Sequence, residues 1–327
     1  MKNNRMKILS IDGGGIRGVV PAMAMAEIER RTGKHIAELF DLIAGTSTGG
    51  ILALGMTKPD ADGRPQYTAE DGVRLYENEG HRIFSRSAWQ RVRTLGSLVD
   101  EKYPSAPLEE VLQEYLGDAR LKDAVTDILI TSYEIERRIP WFFRSWRAKE
   151  RPDYDFPMTQ VARSTSAAPT FFEASKVETE DIGEYYALID GGVFANNPTM
   201  CAYVDVRTRF PNVSDFLVVS LGTGELTRPI NYNEAKDWGL VNWVRPLINI
   251  LMQGVTATVD YQMQQMLPKT TTGEQRYYRF QAQLVEGSDD LDDVSRTNIR
   301  VLKLKAEEMI HQNSAAFDQM CAALVAE

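Results

Sequence analysis

Ser47 is the residue whose surroundings point most directly to covalent chemistry. It stands at the centre of Gly45-Thr46-Ser47-Thr48-Gly49, between a short apolar run and an apolar helical segment. A serine in such a nucleophile elbow is held in a strained conformation with its hydroxyl exposed, and the flanking glycines leave room for the sharp turn. The pattern therefore predicts a nucleophilic serine, although Gly-x-Ser-x-Gly alone also describes an ordinary turn.

A nucleophilic serine needs a base, and the composition favours a carboxylate over an imidazole. The three histidines, His35, His81 and His311, lie outside the glycine-rich motifs, in predicted helices or their polar flanks. Asp190 instead follows a predicted strand and precedes two glycines. An aspartate with an ordinary pKa of about 4 is a weak base, so partial burial must raise that pKa if Asp190 acts directly on Ser47. The alternative is a carboxylate that only caps a turn.

The first predicted strand leads into a glycine loop that can bind negative charge. Gly13, Gly14 and Gly15 expose backbone N–H groups to either a phosphate or a transient oxyanion. The pattern Gly13-x-Gly15-x-x-Gly18 also matches the dinucleotide fingerprint, which expects an acidic residue about 20 positions further on. The next predicted strand, 42–44, ends in the serine turn instead. This difference disfavours a dinucleotide-binding oxidoreductase.

Length and composition describe a globular chain with an acidic balance. The 327 residues are 43% hydrophobic and 25% charged, and the formal net charge of -9 argues against binding a nucleic-acid polymer. Two cysteines, Cys201 and Cys321, are too few for a disulfide framework or a cysteine metal site. With no signal-peptide pattern and no membrane-spanning apolar run, we expect a soluble cytoplasmic protein whose membrane contact is peripheral.

Short apolar runs alternate with helical patterns along the chain. Strands are predicted at 6–11, 42–44, 127–133, 139–146, 185–189, 216–221 and 277–284, and helices at 19–32, 50–56, 68–84, 108–116, 158–165, 198–210, 238–266, 298–312 and 314–325. This alternation predicts a single α/β domain with a largely parallel sheet covered by helices on both faces. Ligands bind such sheets at the carboxyl ends of strands, where Asp12, Ser47 and Asp190 are all placed.

Four segments together resemble the signature blocks of patatin-like phospholipases. They are residues 12–18 (DGGGIRG), 45–49 (GTSTG), 162–170 (ARSTSAAPT) and 190–198 (DGGVFANNP), in the family's order. With 220–224 (SLGTG), the resemblance covers 6–225 and implies a catalytic core with the three-layer α/β/α patatin-like fold. Residues 226–327 carry no motif and are predicted to be a mostly helical part packed on the same domain. The resemblance implies hydrolysis of fatty-acyl esters of membrane phospholipids.

The resemblance also implies roles for individual residues. Ser47 would be the nucleophile and Asp190 the base of a serine–aspartate dyad that needs no metal or other cofactor. The amides of residues 13–15 would form the oxyanion hole, and Arg17 would orient that loop or contact a phosphate. Acyl chains need an apolar cleft, for which residues 50–55 and the helix 247–252 are candidate walls, unless they are ordinary core.

The resemblance and the composition also suggest an activator, a non-catalytic alternative and a role for segment 137–147. Compact bacterial patatin-like proteins include anti-phage effectors that a cyclic nucleotide activates to degrade membrane phospholipid. The chain matches them in size and in lacking a signal peptide, but no residue marks a nucleotide site. A non-catalytic lipid-binding or storage protein is a further alternative, and no oligomeric state is predicted. The arginine- and aromatic-rich segment 137–147 would contact lipid headgroups, bind an anionic ligand or form an ordinary hairpin.

Overall fold

A mixed eight-stranded sheet forms the centre of the molecule, in the order β5-β6-β3-β2-β1-β7-β9 with β4 also on β3, while β8 and β10 form a separate pair. The computed structural model describes residues 5–84, 103–179, 184–227, 229–285 and 290–326. The strands are β1 (Arg5–Ile11), β2 (Leu42–Thr46), β3 (Asp127–Glu134), β4 (Ile139–Arg144), β5 (Ser175–Glu178), β6 (Tyr185–Asp190), β7 (Asp215–Leu221), β8 (Glu225–Leu226), β9 (Tyr277–Phe280) and β10 (Gln283–Leu284). The helices are α1 (Val19–Thr32), α2 (Ile36–Leu39), α3 (Thr48–Thr57), α4 (Ala69–Ile83), α5 (Ala106–Leu116), α6 (Ser145–Glu150), α7 (Met158–Thr165), α8 (Gly192–Ala195), α9 (Thr199–Arg209), α10 (Tyr232–Ala235), α11 (Leu240–Met266), α12 (Arg296–Gln312) and α13 (Ser314–Val325).

The five strands β3, β2, β1, β7 and β9 run parallel, which confirms the largely parallel sheet. Their apolar runs are continuous because a parallel sheet is covered on both faces. Ile11 at the end of β1 pairs with Gly45 of β2 and with Leu221 of β7. The segments that follow these three residues therefore leave the sheet side by side, at the edge that holds the serine turn.

Strand β6 departs from the predicted arrangement because it is antiparallel to β3. Asp190 therefore does not end a parallel strand. Since β4 occupies one edge of β3, strands β2 and β6 both pair with the other edge, and they approach each other from opposite directions. Thr46 of β2 lies opposite Thr131, and Asp190 of β6 lies opposite the next residue, Ser132. The two strands thus end almost head to head, which brings Asp190 to the turn at Ser47.

Helices cover both faces of the sheet in the predicted three-layer α/β/α arrangement. Alternate residues of a strand point to opposite faces. Leu9 and Ile43 accordingly belong to a core cluster that includes residues of α1, α3, α4 and α12. Ile8 and Leu42 belong to a second cluster with residues of α9 and α11. The site at the strand ends is therefore built on two packed cores.

The last hundred residues extend the sheet and cover its helices. Strand β9 pairs with β7, helices α12 and α13 pack against α1, and α11 packs against α8 and α9. Within the ranges that the structure describes, no helix combines the length and apolar composition needed to cross a membrane.

Candidate active site

The turn at Ser47 has the strained geometry predicted from its glycines. Ser47 has a φ of 54°, a left-handed conformation that non-glycine residues rarely adopt. A Cβ on Gly45 would lie 2.3 Å from the Gly49 carbonyl oxygen, and a Cβ on Gly49 would lie 2.2 Å from the Ile11 carbonyl oxygen. Both positions therefore need glycine if β2 is to turn directly into α3.

Hydroxyls of Thr165 and Thr46, two residues that were not predicted as site residues, hold this turn in place. The backbone N–H of Ser47 donates to Thr165 Oγ1 at 2.8 Å, and the Thr165 hydroxyl donates to the Thr131 carbonyl at 2.7 Å. The Thr46 hydroxyl lies 2.6 Å from the Ala195 carbonyl. Thr165 belongs to the 162–170 block, so this block supports the serine turn through a hydrogen bond.

Asp190 lies within hydrogen-bonding reach of the predicted nucleophile. The Gly192 N–H donates to the Asp190 carboxylate at 2.7 Å, and the Ser47 side chain lies close enough to the same carboxylate to lower its pKa. The side chain is buried, with 5% of Asp190 exposed. Burial raises the pKa of Asp190 from 3.8 to about 6, against the opposing effects of the Ser47 side chain and the Gly192 N–H. The carboxylate is therefore a stronger base than a solvated aspartate.

The glycine loop presents two amides beside this pair. The Gly13 N–H was predicted to belong to the oxyanion hole. It instead donates to the Asn196 carbonyl at 2.9 Å, so it is not available to an oxyanion in this structure. Neither the Gly14 nor the Gly15 N–H donates to an acceptor in the described part of the chain, and both residues line the cavity at Ser47. Gly14 and Gly15 are thus the remaining candidates for binding negative charge.

A buried ion pair fixes the start of the glycine loop. Asp12 accepts from both terminal nitrogens of Arg279 on β9, at 3.0 and 2.6 Å, and Arg279 also donates to Ser220 at 2.8 Å. Burial raises the pKa of Asp12, and the Arg279 guanidinium opposes that rise. Arg17 is buried, and its Nε lies 3.5 Å from the Gly14 carbonyl oxygen, a contact that favours its predicted loop-orienting role.

Replacing Arg279 by methionine is expected to lower the free energy of unfolding by about 3–5 kcal/mol, because Asp12 would be left buried without its cation. Urea unfolding monitored by circular dichroism measures the change. The matched variant Arg279→Lys keeps the charge but loses the bidentate contact, so its free energy of unfolding should fall by less than that of Arg279→Met. Equal stability of wild type and Arg279→Met would show that the ion pair does not hold the loop.

An apolar cavity of about 210 Å³ opens beside Ser47 and Asp190. The predicted wall 50–55 contributes Ile51, and the predicted wall 247–252 contributes Ile248, Leu251 and Met252. His35, His81 and His311, all in the described part of the chain, are absent from this lining. The carboxylate is therefore the titratable partner that the structure gives to Ser47.

Segment 137–147 forms part of the β3–β4 hairpin and the following helix, and its cations stack on aromatic rings. The Arg137 guanidinium lies 5.0 Å from the centre of the Tyr186 ring, and that of Arg147 lies 4.5 Å from the centre of the Tyr154 ring. Trp141 in turn stacks on Tyr154. The hairpin itself is confirmed, while contact with headgroups or an anionic ligand stays a prediction.

A serine turn and a buried carboxylate at an apolar cleft of an α/β sheet are typical of proteins that hydrolyse lipid esters. The family model for patatin-like phospholipases matches residues 9–203, and the chain belongs to this family. It is 32% identical to "Patatin-like protein 2" of Oryza sativa subsp. indica, over 97% of this chain and 86% of that protein. It is 31% identical to "Probable inactive patatin-3-Kuras 1" of Solanum tuberosum, over 94% and 86%.

Among solved structures, the chain is similar to human GIVD cytosolic phospholipase A2 in complex with methyl gamma-linolenyl fluorophosphonate. The TM-score is 0.47 at 12% identity, and the match covers 99% of this chain and 60% of that one. The similarity to type III effector protein ExoU has a TM-score of 0.39 at 12% identity and covers 96% of this chain and 54% of that one. Family membership, rather than these distant similarities, supports lipid acyl hydrolysis as the activity.

Proposed function

We propose that the chain is a phospholipase A-type serine acyl hydrolase that cleaves fatty-acyl esters of membrane phospholipids. The observation that carries this proposal is that the Ser47 side chain interacts with the buried Asp190 carboxylate and that both residues line one apolar cavity. A carboxylate with a raised pKa can take the serine proton directly. The cavity offers the apolar surroundings that an acyl chain needs.

The proposed reaction has two stages that share the same groups. Ser47 Oγ attacks the ester carbonyl carbon while its proton passes to Asp190, and the oxyanion that forms binds the amides of Gly14 and Gly15. Collapse breaks the bond to the alcohol, which leaves with the proton from Asp190. Water then attacks the acyl-enzyme and gives a proton to Asp190, and Ser47 regains that proton as the fatty acid leaves.

Peripheral contact with a membrane belongs to the same proposal. Val193 and Leu251 both line the cavity and are 44% and 55% exposed, so they lie at its mouth. Leu247 lies one helical turn before Leu251 and is also exposed. Exposed apolar side chains at the mouth would contact acyl chains as a lipid leaves the bilayer.

Fatty acid released from vesicles of defined phospholipid, identified by mass spectrometry, tests the function. Release that follows protein concentration supports the hydrolase, and the lyso-lipid formed gives the scissile position. The second candidate is a non-catalytic lipid-binding or storage protein, favoured by the Solanum tuberosum relative whose name includes "inactive". Lipid binding by folded protein without fatty acid release would establish that candidate and reject the first.

The resemblance alone carries a further proposal, activation by a cyclic nucleotide in anti-phage defence. The same vesicle assay, repeated with a panel of cyclic mono-, di- and trinucleotides, tests it. Faster release with one member of the panel would support an activator. Equal release with every member would reject it and leave the hydrolase assignment untouched.

The pH dependence of hydrolysis is expected to give the pKa of the catalytic base. Because Asp190 must be ionised to accept the serine proton, kcat/KM should rise with pH and level off above an apparent pKa of about 6. A neutral ester substrate, corrected for spontaneous hydrolysis, avoids titration of the substrate itself. A rate that does not change from about pH 4 to pH 8 would contradict a carboxylate base with a raised pKa.

A further inference from the structure

A second apolar cavity lies next to the one at Ser47. It measures about 50 Å³ and lies between α3, α4 and α5. Leu52, Gly55 and Leu112 are among the residues that line it without lining the first cavity. The two cavities follow the same helix, α3, which begins directly after the nucleophile elbow. An extension of the acyl site along α3 is therefore already present in the fold.

Ile51 belongs to the partition between the two cavities, which we define as the residues that line both. It lines both of them, together with Tyr76, Ile83 and Leu108. The Ile51 N–H donates to the Ser47 carbonyl at 3.0 Å, so Ile51 lies one helical turn beyond Ser47, and both residues line the first cavity. An acyl chain that leaves the ester at Ser47 and runs along α3 would meet this side chain first.

The other members of the partition are more firmly fixed than Ile51. The Tyr76 hydroxyl is hydrogen-bonded to the Thr48 hydroxyl and lies 3.3 Å from the Thr48 carbonyl oxygen. Leu108 is 1% exposed and belongs to the main core cluster. Ile51 is only partly buried and packs against that cluster from outside. A change in its size would therefore alter the cavities before it disturbed the core.

From these contacts we propose that Ile51 is the floor of the acyl site and limits the length of the acyl chain that the enzyme accepts. This proposal rests on the proposed function, since it concerns the acyl group transferred to Ser47. A chain longer than the first cavity must bend back toward the mouth, where its last methylenes stay exposed to water or lipid. Opening the partition would let the same chain continue into the second cavity beside Leu52 and Gly55.

The test is the ratio of kcat/KM for a palmitoyl ester to that for a hexanoyl ester. Ile51→Ala is expected to raise this ratio about tenfold, the low end of what one methylene contributes in an apolar pocket. Ile51→Phe should lower it, because the larger ring fills the end of the first cavity. Partial unfolding of a variant lowers kcat/KM for both esters by the same factor, so it does not change the ratio.

Two further variants distinguish entry of the acyl chain into the second cavity from a general enlargement of the first cavity. Ile248→Ala removes the same atoms from another part of the first cavity's lining and leaves the partition intact, so it should shift the ratio less than Ile51→Ala. Leu112→Phe fills the second cavity alone, so adding it to Ile51→Ala should cancel the gain. These two outcomes support the role of Ile51.

An unchanged ratio in Ile51→Ala, or a gain that survives Leu112→Phe, would overturn the role of Ile51 while leaving the hydrolase assignment intact. Absence of hydrolysis of both esters by folded wild-type protein would overturn the proposed function instead, and the role of Ile51 with it.

Discussion

Replacing Ser47 by alanine is expected to lower kcat/KM for phospholipid hydrolysis by about a millionfold, the loss seen when a hydrolase loses its nucleophile. The expectation follows from the position of the Ser47 hydroxyl, which lines the cavity and interacts with the Asp190 carboxylate. Alanine keeps the backbone and the Cβ of the turn, so the fold should be retained. Fatty acid release from vesicles measures the loss.

A second serine in the same cavity provides the matched control for Ser47→Ala. Ser166 also lines the cavity, but its hydroxyl donates to the Ala162 carbonyl at 2.6 Å. Ser166→Ala should therefore cost orders of magnitude less activity than Ser47→Ala. Comparable losses in the two variants, with both proteins folded, would mean that the cavity rather than the Ser47 hydroxyl is what hydrolysis needs.

Replacing Asp190 by asparagine is expected to lower kcat/KM by about 10⁴-fold, the effect of removing the acidic member of a serine triad. The amide oxygen introduced by Asp190→Asn could still accept a hydrogen bond from Ser47, but it could not take up the proton. The loss should appear in kcat as well as in kcat/KM, since proton transfer occurs in both stages of the reaction. Activity within tenfold of wild type would show that another group acts as base.

The free energy of unfolding, measured as a function of pH, distinguishes a chemical effect of Asp190→Asn from misfolding, because a correctly folded variant should be at least as stable as wild type above about pH 6. A folded-state pKa raised from 3.8 to about 6 means that the folded protein holds this proton more tightly than the unfolded chain does. The contribution of Asp190 to the free energy of unfolding should therefore fall by about 3 kcal/mol as pH rises from about 3 to about 7, with most of the loss between the unfolded-state pKa of about 4 and the folded-state pKa of about 6. The asparagine variant lacks this titration, so relative to wild type it should gain stability across that window.

Local sequence signals predicted much of the fold. The apolar run that became β1 and the periodic segment that became α1 are specified by nearby residues, and so is α4. Thr68 and Asp71, three residues apart, form a capping box at the start of α4, with reciprocal side-chain to backbone hydrogen bonds. The turn at Ser47 belongs to the same group, because the space that its glycines provide is needed by atoms a few residues away or on the adjacent strand.

Contacts between distant segments could not be predicted in this way. Strand direction depends on the path of the connecting chain, so nothing in 185–189 indicated that β6 would meet β2 head to head. Arg279 lies outside every motif, and its partner Asp12 is 267 residues away. The Gly13 amide looked free because its acceptor, the Asn196 carbonyl, comes from another motif. Each of these three features depends on a contact between segments that are far apart in the sequence.

The central claim is that Asp190 deprotonates Ser47 without an imidazole, and the rate of labelling by a fluorophosphonate tests it most directly. Mass spectrometry of the wild type should find the label on Ser47. A variant with His35, His81 and His311 all replaced by glutamine should react at the wild-type rate, while Asp190→Asn should react orders of magnitude more slowly. Slow labelling of the folded histidine-free variant, or rapid labelling of Asp190→Asn, would contradict the claim.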